Sequence, residues 1–139
     1  MNKEAINNIF EKQKNYFQSG ATIPVAFRIE QLKKLYKTVK KYESEISYMI
    51  KNVKKFSRKK RVHTPLSQFP SSSYKIAVPY GNTLIMSPWN YPFLLTFDPL
   101  VDAIATGNTV IIKPSAYSPA TSKIVEKIIS ECFAPEYVT

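Results

Sequence analysis

Residues 81–115 read GNTLIMSPWNYPFLLTFDPLVDAIATGNTVIIKPS, and the fold of the chain turns on how this stretch is divided. Two short apolar runs, Thr83-Leu84-Ile85-Met86 and Thr109-Val110-Ile111-Ile112, are of the type buried in a parallel sheet. Between them Phe93 to Thr106 carries Leu94, Phe97, Leu100, Val101 and Ile104 on one side of a helical wheel, with Gly107 placed to end it. Pro99 lies inside that helix and predicts a break or kink there. Strand, helix, strand in this order implies a parallel pair with a crossover helix.

Toward the C-terminus, Ser118-Pro119 predicts a helix start, Ser as N-cap and Pro at the first helical position. Ile124, Ile128, Ile129 and Phe133 give that helix an apolar face. Ala134-Pro135 stops it, and Tyr137-Val138-Thr139 reads as the opening of a third strand. The expected fold class is α/β, an incomplete Rossmann-like parallel β-α-β unit preceded by an N-terminal helical region. A two-stranded parallel sheet with open edges leaves strand faces and backbone groups unpaired, so residues 74–139 read as the start of a larger α/β domain.

Toward the N-terminus, residues 62–73 are Pro- and Ser-rich around HTPLSQFPSSS (63–73) and read as an extended linker, followed by a short strand at Tyr74–Val78. Residues 1–61 read as helical. In Asn2–Gln18, Ile6, Ile9, Phe10, Gln13 and Phe17 recur at three- and four-residue steps, and Ser19-Gly20 is a stop. From Pro24 onward Ile29, Leu32, Tyr36, Val39, Tyr42, Ile46, Met49 and Val53 approximate a heptad seam. No Gly or Pro interrupts Arg28 to Lys60. A single helix of some 30 residues, about 45 Å long, follows from that pattern. Its apolar stripe needs a partner: the rest of this chain, the first helix, or another copy in a homo-oligomer.

Composition removes several classes. Among 139 residues there is one cysteine, Cys132, and one histidine, His63, so no intramolecular disulfide and no self-contained Cys/His zinc site is expected, and no metal. The three glycines, Gly20, Gly81 and Gly107, exclude a GxxxxGK[ST] phosphate loop and a GxGxxG fingerprint. Asn82–Ile112 is charge-poor but is interrupted by Pro88, Pro92, Pro99, Asp98 and Asp102, which argues against a membrane span. The N-terminus carries charges throughout and has no apolar signal core, so a cytoplasmic chain is expected. The net charge of +10 is the sum of +11 over residues 1–63 and −1 over 64–139, so the basic character belongs to the N-terminal half alone. Such asymmetry marks either a solvated lysine-rich helix face or a surface for nucleic acid or anionic membrane, with Lys54, Lys55, Arg58, Lys59, Lys60 and Arg61 as its centre.

The segments Gly81–Phe93 (GNTLIMSPWNYPF), Pro99-Leu100, Ala103–Ser115 (AIATGNTVIIKPS), Ser118–Ser122 (SPATS) and Phe133–Val138 (FAPEYV) closely resemble aldehyde dehydrogenases, at the spacing of the class-3-like, fatty-aldehyde type. Val62–Leu66 and Ser71–Ser73 are similar to the linker of that class. The resemblance is strong over 62–139 and looser over 1–61. It implies an N-terminal portion of an NAD(P)-dependent enzyme that oxidises a small-molecule aldehyde to a carboxylate, through a thiolate, hydride transfer to NAD or NADP, and thioester hydrolysis.

Carried over residue by residue, the resemblance makes Asn90 of PWNYP the oxyanion donor, its amide donating without changing protonation state. Capping of the helix near Phe93 is the other reading of Asn90. Lys113 of KPS is placed at the adenine ribose of the cofactor with Ser115 beside it, against the plainer reading of a strand-end lysine in solvent. Trp89 lines the cofactor cleft or packs in the core. Three departures accompany these. Where the family continues KPS with a ribose-binding Glu, this chain has Ala116, which leaves NAD against NADP open and favours a 2′-phosphate by removing a like charge. A segment between the family's helices is missing near Tyr42–Glu45, as in an internal deletion. The GxTxxG turn, general-base Glu, nucleophilic Cys and C-terminal arm of the family all belong after residue 139, and Cys132 in IISECF lacks the basic surroundings that activate a thiol. The 139 residues are therefore expected to be inactive alone. A helical interaction module, or a basic helix for anionic surfaces, is the alternative.

Overall fold

A computed structural model describes residues 3–39 and 43–139. Five α-helices, α1 (Lys3–Gln18), α2 (Val25–Thr38), α3 (Glu43–Phe56), α4 (Leu94–Thr106) and α5 (Pro119–Cys132), are combined with four strands, β1 (Lys60–Val62), β2 (Ser73–Lys75), β3 (Asn82–Met86) and β4 (Thr109–Lys113). β3 and β4 are parallel, in register from Asn82 opposite Thr109 to Met86 opposite Lys113, with α4 as the crossover. Where the sequence predicts a third strand, the two-stranded sheet gains an isolated bridge. Val110 bridges Val138 in parallel, and the Val110 N–H donates to Tyr137 O at 2.9 Å and the Thr139 N–H to Val110 O at 3.0 Å.

Period-two alternation fixes the faces of β3. Ile85 is buried while Leu84 and Met86 on either side of it are exposed, because only one face of the sheet is covered along this strand. Phe97, Leu100, Val101 and Ile104 of α4 are buried in the same core as Ile85, Val110, Val125 and Ile129. Pro99 does not break α4. It lies on the exposed side of the helix with Leu95 and Asp102, where the hydrogen bond lost at a proline is not lost inside the core. Gly107 ends the helix in the left-handed region at φ 91°, and a Cβ there would meet Thr22 O at 3.1 Å and Arg28 Nε at 3.3 Å.

The single long helix is not formed. α2 ends at Thr38, α3 begins at Glu43, and the two pack against each other; Tyr42 of the expected seam lies outside the described residues, as do Asn2, Lys40 and Lys41. Arg28 at the start of α2 donates through Nη1 to Ser57 Oγ just beyond α3, at 3.2 Å, so the pair is an antiparallel hairpin. Burial explains the fold-back: Leu32, Leu35 and Val39 from one arm and Ile46 and Val53 from the other all enter the same core. A straight helix would leave one half of that stripe in water, at roughly 1.5–3 kcal/mol for each large apolar side chain. The partner of the seam is thus this chain itself.

α1 also joins the core, through a polar contact. Gln13 is fully buried and its Nε2 donates to Val110 O at 2.9 Å, fixing α1 to β4. Thr22 Oγ1 donates to Gly107 O at 2.7 Å, and Arg28 reaches Ala105 O through Nη1 at 3.1 Å and Ile23 O through Nε at 3.1 Å. The Tyr137 ring sits edge-on to Phe27 at 5.2 Å and to Phe133 at 5.8 Å. Residues from the helical region and from the α/β unit therefore share one core.

The stretch read as an extended linker has structure of its own. β1 and β2 pair antiparallel, Lys60 opposite Lys75, Arg61 opposite Tyr74 and Val62 opposite Ser73, with a short 3₁₀ turn at Leu66–Gln68 between them. Thr64 Oγ1 accepts from the Ser73 N–H at 2.9 Å and closes the loop. The strand expected at Tyr74–Val78 is shorter and belongs to this ribbon, separate from the parallel sheet.

Candidate active site

Ligands in open α/β sheets gather beyond the carboxyl ends of the strands, and two loops leave this sheet side by side. After β3 runs Ser87-Pro88-Trp89-Asn90-Tyr91-Pro92. After β4 runs Pro114-Ser115-Ala116-Tyr117-Ser118. Their roots are joined by the Ser87 N–H donating to Lys113 O at 3.2 Å. Higher up, Ser118 Oγ donates to Trp89 O at 3.2 Å. Ser118 is at the N-cap position of α5 but makes no side-chain capping bond; its hydroxyl links the two loops instead.

The first loop reverses the chain from strand to helix at Tyr91, which has φ 48°. A bulky residue in the left-handed region is uncommon and costs about 1–3 kcal/mol. The Leu95 N–H donates to Tyr91 O at 3.0 Å, and Thr96 Oγ1 donates to Pro92 O at 2.5 Å, so the turn is held from the first turn of α4. Asn90 is exposed. The N-cap of α4 is Phe93, with no side-chain capping bond, so the helix-cap reading of Asn90 does not hold. Trp89 is 66% exposed, so its ring is not packed into the core that these residues form.

The second loop is built more tightly. Ser115 is buried, its Oγ accepts the Tyr117 N–H at 3.2 Å, and its carbonyl accepts Ser122 Oγ at 3.0 Å. Lys113, the last residue of β4, is exposed. Loop 114–118 contains no carboxylate, since Ala116 stands at its turn. Ser87, buried at the root, has a hydroxyl with no hydrogen-bond partner.

Cys132 is remote in kind from these loops. It ends α5, is buried, and its thiol donates to Thr38 Oγ1 at 3.2 Å. Burial pushes its pKa up, opposed by the Thr38 hydroxyl. A thiol held protonated is a poor nucleophile.

Sequence reasoning missed the linking role of Ser118 and the strained Tyr91. Ser-Pro before a helix is the ordinary signature of a cap, and only the packing of the two loops redirects the hydroxyl. For Tyr91 there was no signal, because left-handed turns are advertised by Gly or Asn and here an aromatic residue occupies one.

The sequence model described as "Aldehyde dehydrogenase family" matches residues 28–139. The chain belongs to the aldehyde dehydrogenase family. It is 38% identical over 160 aligned positions to the 4,4'-diaponeurosporen-aldehyde dehydrogenase of Staphylococcus aureus, an alignment covering 96% of this chain and 35% of that protein. Aldehyde dehydrogenase family 3 member H1 of Arabidopsis thaliana is 31% identical, covering 97% of this chain and 33% of that protein. Among solved structures, the substrate-bound state of Staphylococcus aureus AldH superposes with a TM-score of 0.90 at 38% identity, over 99% of this chain and 36% of that one. The succinic semialdehyde dehydrogenase of Streptococcus pyogenes, in complex with NADP+, shares the fold at a TM-score of 0.81 and 13% identity.

This aldehyde dehydrogenase chain spans about a third of the length of the curated relatives it matches. Both of those alignments are longer than the 139-residue chain, so the relatives carry internal residues that have no counterpart here.

Proposed function

We propose that this chain supplies the oxyanion donor and the cofactor-side wall of an NAD(P)-dependent aldehyde dehydrogenase, and that by itself it does not turn over aldehyde. The observation that supports this reading most is the Ser118–Trp89 hydrogen bond, which holds the Asn90 loop against the Lys113–Ser115 loop at the carboxyl end of a parallel sheet.

In this reading Asn90 donates its amide N–H to the oxygen that becomes negative when a thiolate adds to the aldehyde carbon. An amide is suited to that task because it needs no proton transfer and stands ready before charge develops. Loss of one such donor costs about 2.7–4 kcal/mol of transition-state stabilisation. The cofactor, when bound, supplies the nicotinamide ring that accepts the hydride. Exposed Lys113 offers an ammonium to its ribose, Ser115 holds the loop beside it, and the Trp89 ring forms an apolar wall. The donor set fits a phosphate-bearing ligand, since loop 114–118 carries no carboxylate to oppose it. NADP is favoured over NAD on the same ground: Ala116 accepts no ribose hydroxyl and repels no 2′-phosphate. The nucleophile is assigned outside these residues, because the buried Cys132 thiol is the wrong chemical species. A cytoplasmic setting belongs to the same proposal.

The test uses the single tryptophan of the chain. Trp89 fluorescence is titrated with NADP+ and with NAD+, for the chain and for Lys113→Met. Quenching by NADP+ that weakens at least about tenfold in Lys113→Met is expected, a charge-assisted contact being worth about 1.5–3 kcal/mol. Titration curves identical for the two proteins would sink the assignment of Lys113.

A further inference from the structure

Asn90 lies between anchored carbonyls. On one side Trp89 O accepts Ser118 Oγ at 3.2 Å. On the other, Tyr91 O accepts the Leu95 N–H at 3.0 Å and Pro92 O accepts Thr96 Oγ1 at 2.5 Å. Thr96 is fully buried and its own N–H turns to Phe93 O at 3.2 Å, so its hydroxyl satisfies the Pro92 carbonyl in place of a backbone donor. Between these anchors the chain reverses at Tyr91, at φ 48°. Strain of that kind persists only where the surroundings over-determine it. Pro92 is part of that determination. The residue before a proline is disfavoured in the right-handed helical region, so Tyr91 cannot relax by extending α4 backwards. Pro92 itself gives up nothing, because a proline at the head of a helix has no partner for the N–H it lacks.

We infer that Tyr91 and Pro92 are positioning residues for Asn90: the left-handed turn, kept from relaxing by the proline, fixes the direction in which the Asn90 amide leaves the loop. The inference rests on the reading of Asn90 as the oxyanion donor and deepens it. A preorganised donor has to stand in place before charge develops, and an asparagine on a freely turning loop would have to be ordered at every encounter. A glycine at 91 would make the same turn without strain, but it would sample both signs of φ, and Asn90 would swing with it. An aromatic residue followed by proline has neither freedom. The strain at Tyr91 is the counterpart of a fixed Asn90. Every bond invoked joins residues of this chain to one another, whatever packs over the loops.

The experiment is NMR of the full chain in a dilute aligned medium. It reads the residual dipolar couplings of the Asn90 side-chain amide and of the Tyr91 N–H, with urea midpoints alongside. In the parent both sets are expected to be large, as in a rigid loop. Pro92→Ala admits Tyr91 to the right-handed region and is expected to collapse the Asn90 couplings toward zero. Tyr91→Asn keeps the turn, because asparagine tolerates the left-handed region, and is expected to keep the couplings. If Pro92→Ala loses helix by circular dichroism, Tyr91→Val takes its place with the same expectation, since a branched side chain excludes that region. A merely structural turn would lower the urea midpoint and leave the Asn90 couplings as they are, which overturns the inference. Couplings near zero in the parent, or lost in Tyr91→Asn, overturn it as well. No cofactor enters the measurement. A rigid Asn90 in a chain that ignores NADP+ sinks the functional reading alone, and a mobile Asn90 in a chain that binds NADP+ sinks this inference alone.

Discussion

Tyr137 shows how one residue can be both a keystone and a cost. Its ring is fully buried between Phe27, Phe133 and Tyr16, while its hydroxyl is buried without a hydrogen-bond partner. Burial pushes its pKa up, with a smaller contribution of the same sign from Tyr16 and an opposing one from Arg28. The sign of the linkage follows: an unfolded tyrosine ionises near pH 10, the folded one keeps its proton, and stability falls as pH rises above about 10. Tyr137→Phe is expected to raise stability at neutral pH by about 1 kcal/mol, by removing an unpaired buried group, and to flatten the alkaline decline seen in urea melts. Two further outcomes belong to single residues. Ala116→Glu should shift cofactor preference from NADP+ toward NAD+ in Trp89 titrations, through repulsion of the 2′-phosphate. Cys132 should resist iodoacetamide in the folded chain and react when urea unfolds it, because burial keeps the thiol protonated.

Between elements, the junction of α4 with the N-terminal helices is where the sequence told least and the structure most. Gly107 carries the left-handed turn, and Thr22 and Arg28 close on it from outside the α/β unit. Gly107→Ala is expected to lower stability by about 1–3 kcal/mol, read as a shifted urea midpoint, since both its φ and its neighbours exclude a Cβ. The β-α-β-α-(β) order was legible because its strands are apolar runs punctuated by Gly and Pro, and the helices between them have clean apolar faces. The α2–α3 hairpin was not legible: no breaker interrupts Arg28 to Lys60, and the turn is imposed by a shared core that no local pattern reveals. β1 was invisible for the opposite reason, being made of Lys, Arg and Val with no alternating apolar face. Of the site, the two loops could be placed from the motifs and the strand ends, whereas the bond from Ser118 to Trp89 depends on how the loops pack.

For the molecule as a whole, one core runs from α2 and α3 through α4 and the sheet to α5 and Tyr137, and Gln13 ties α1 to β4. The helical region and the α/β unit are therefore expected to unfold together, with circular dichroism and Trp89 fluorescence giving coincident transitions. Gln13→Ala removes one of two donors to the Val110 carbonyl, which keeps the Thr139 N–H, and should lower the common stability by about 0.5–1.5 kcal/mol without splitting the transition. The same architecture presents two surfaces of different character, the paired loops at the strand ends and an apolar groove between α1 and α5 lined by Ile6, Ile9, Ile111 and Phe133. Which of them meets the cofactor is the central question. Amide NMR of the chain titrated with NADP+ answers it most directly. The account predicts shifts at the Trp89 indole N–H and at the amides of Lys113 and of Ser115 to Ser118, with the groove unchanged. Shifts confined to α1 and α5, with the two loops silent, would contradict it.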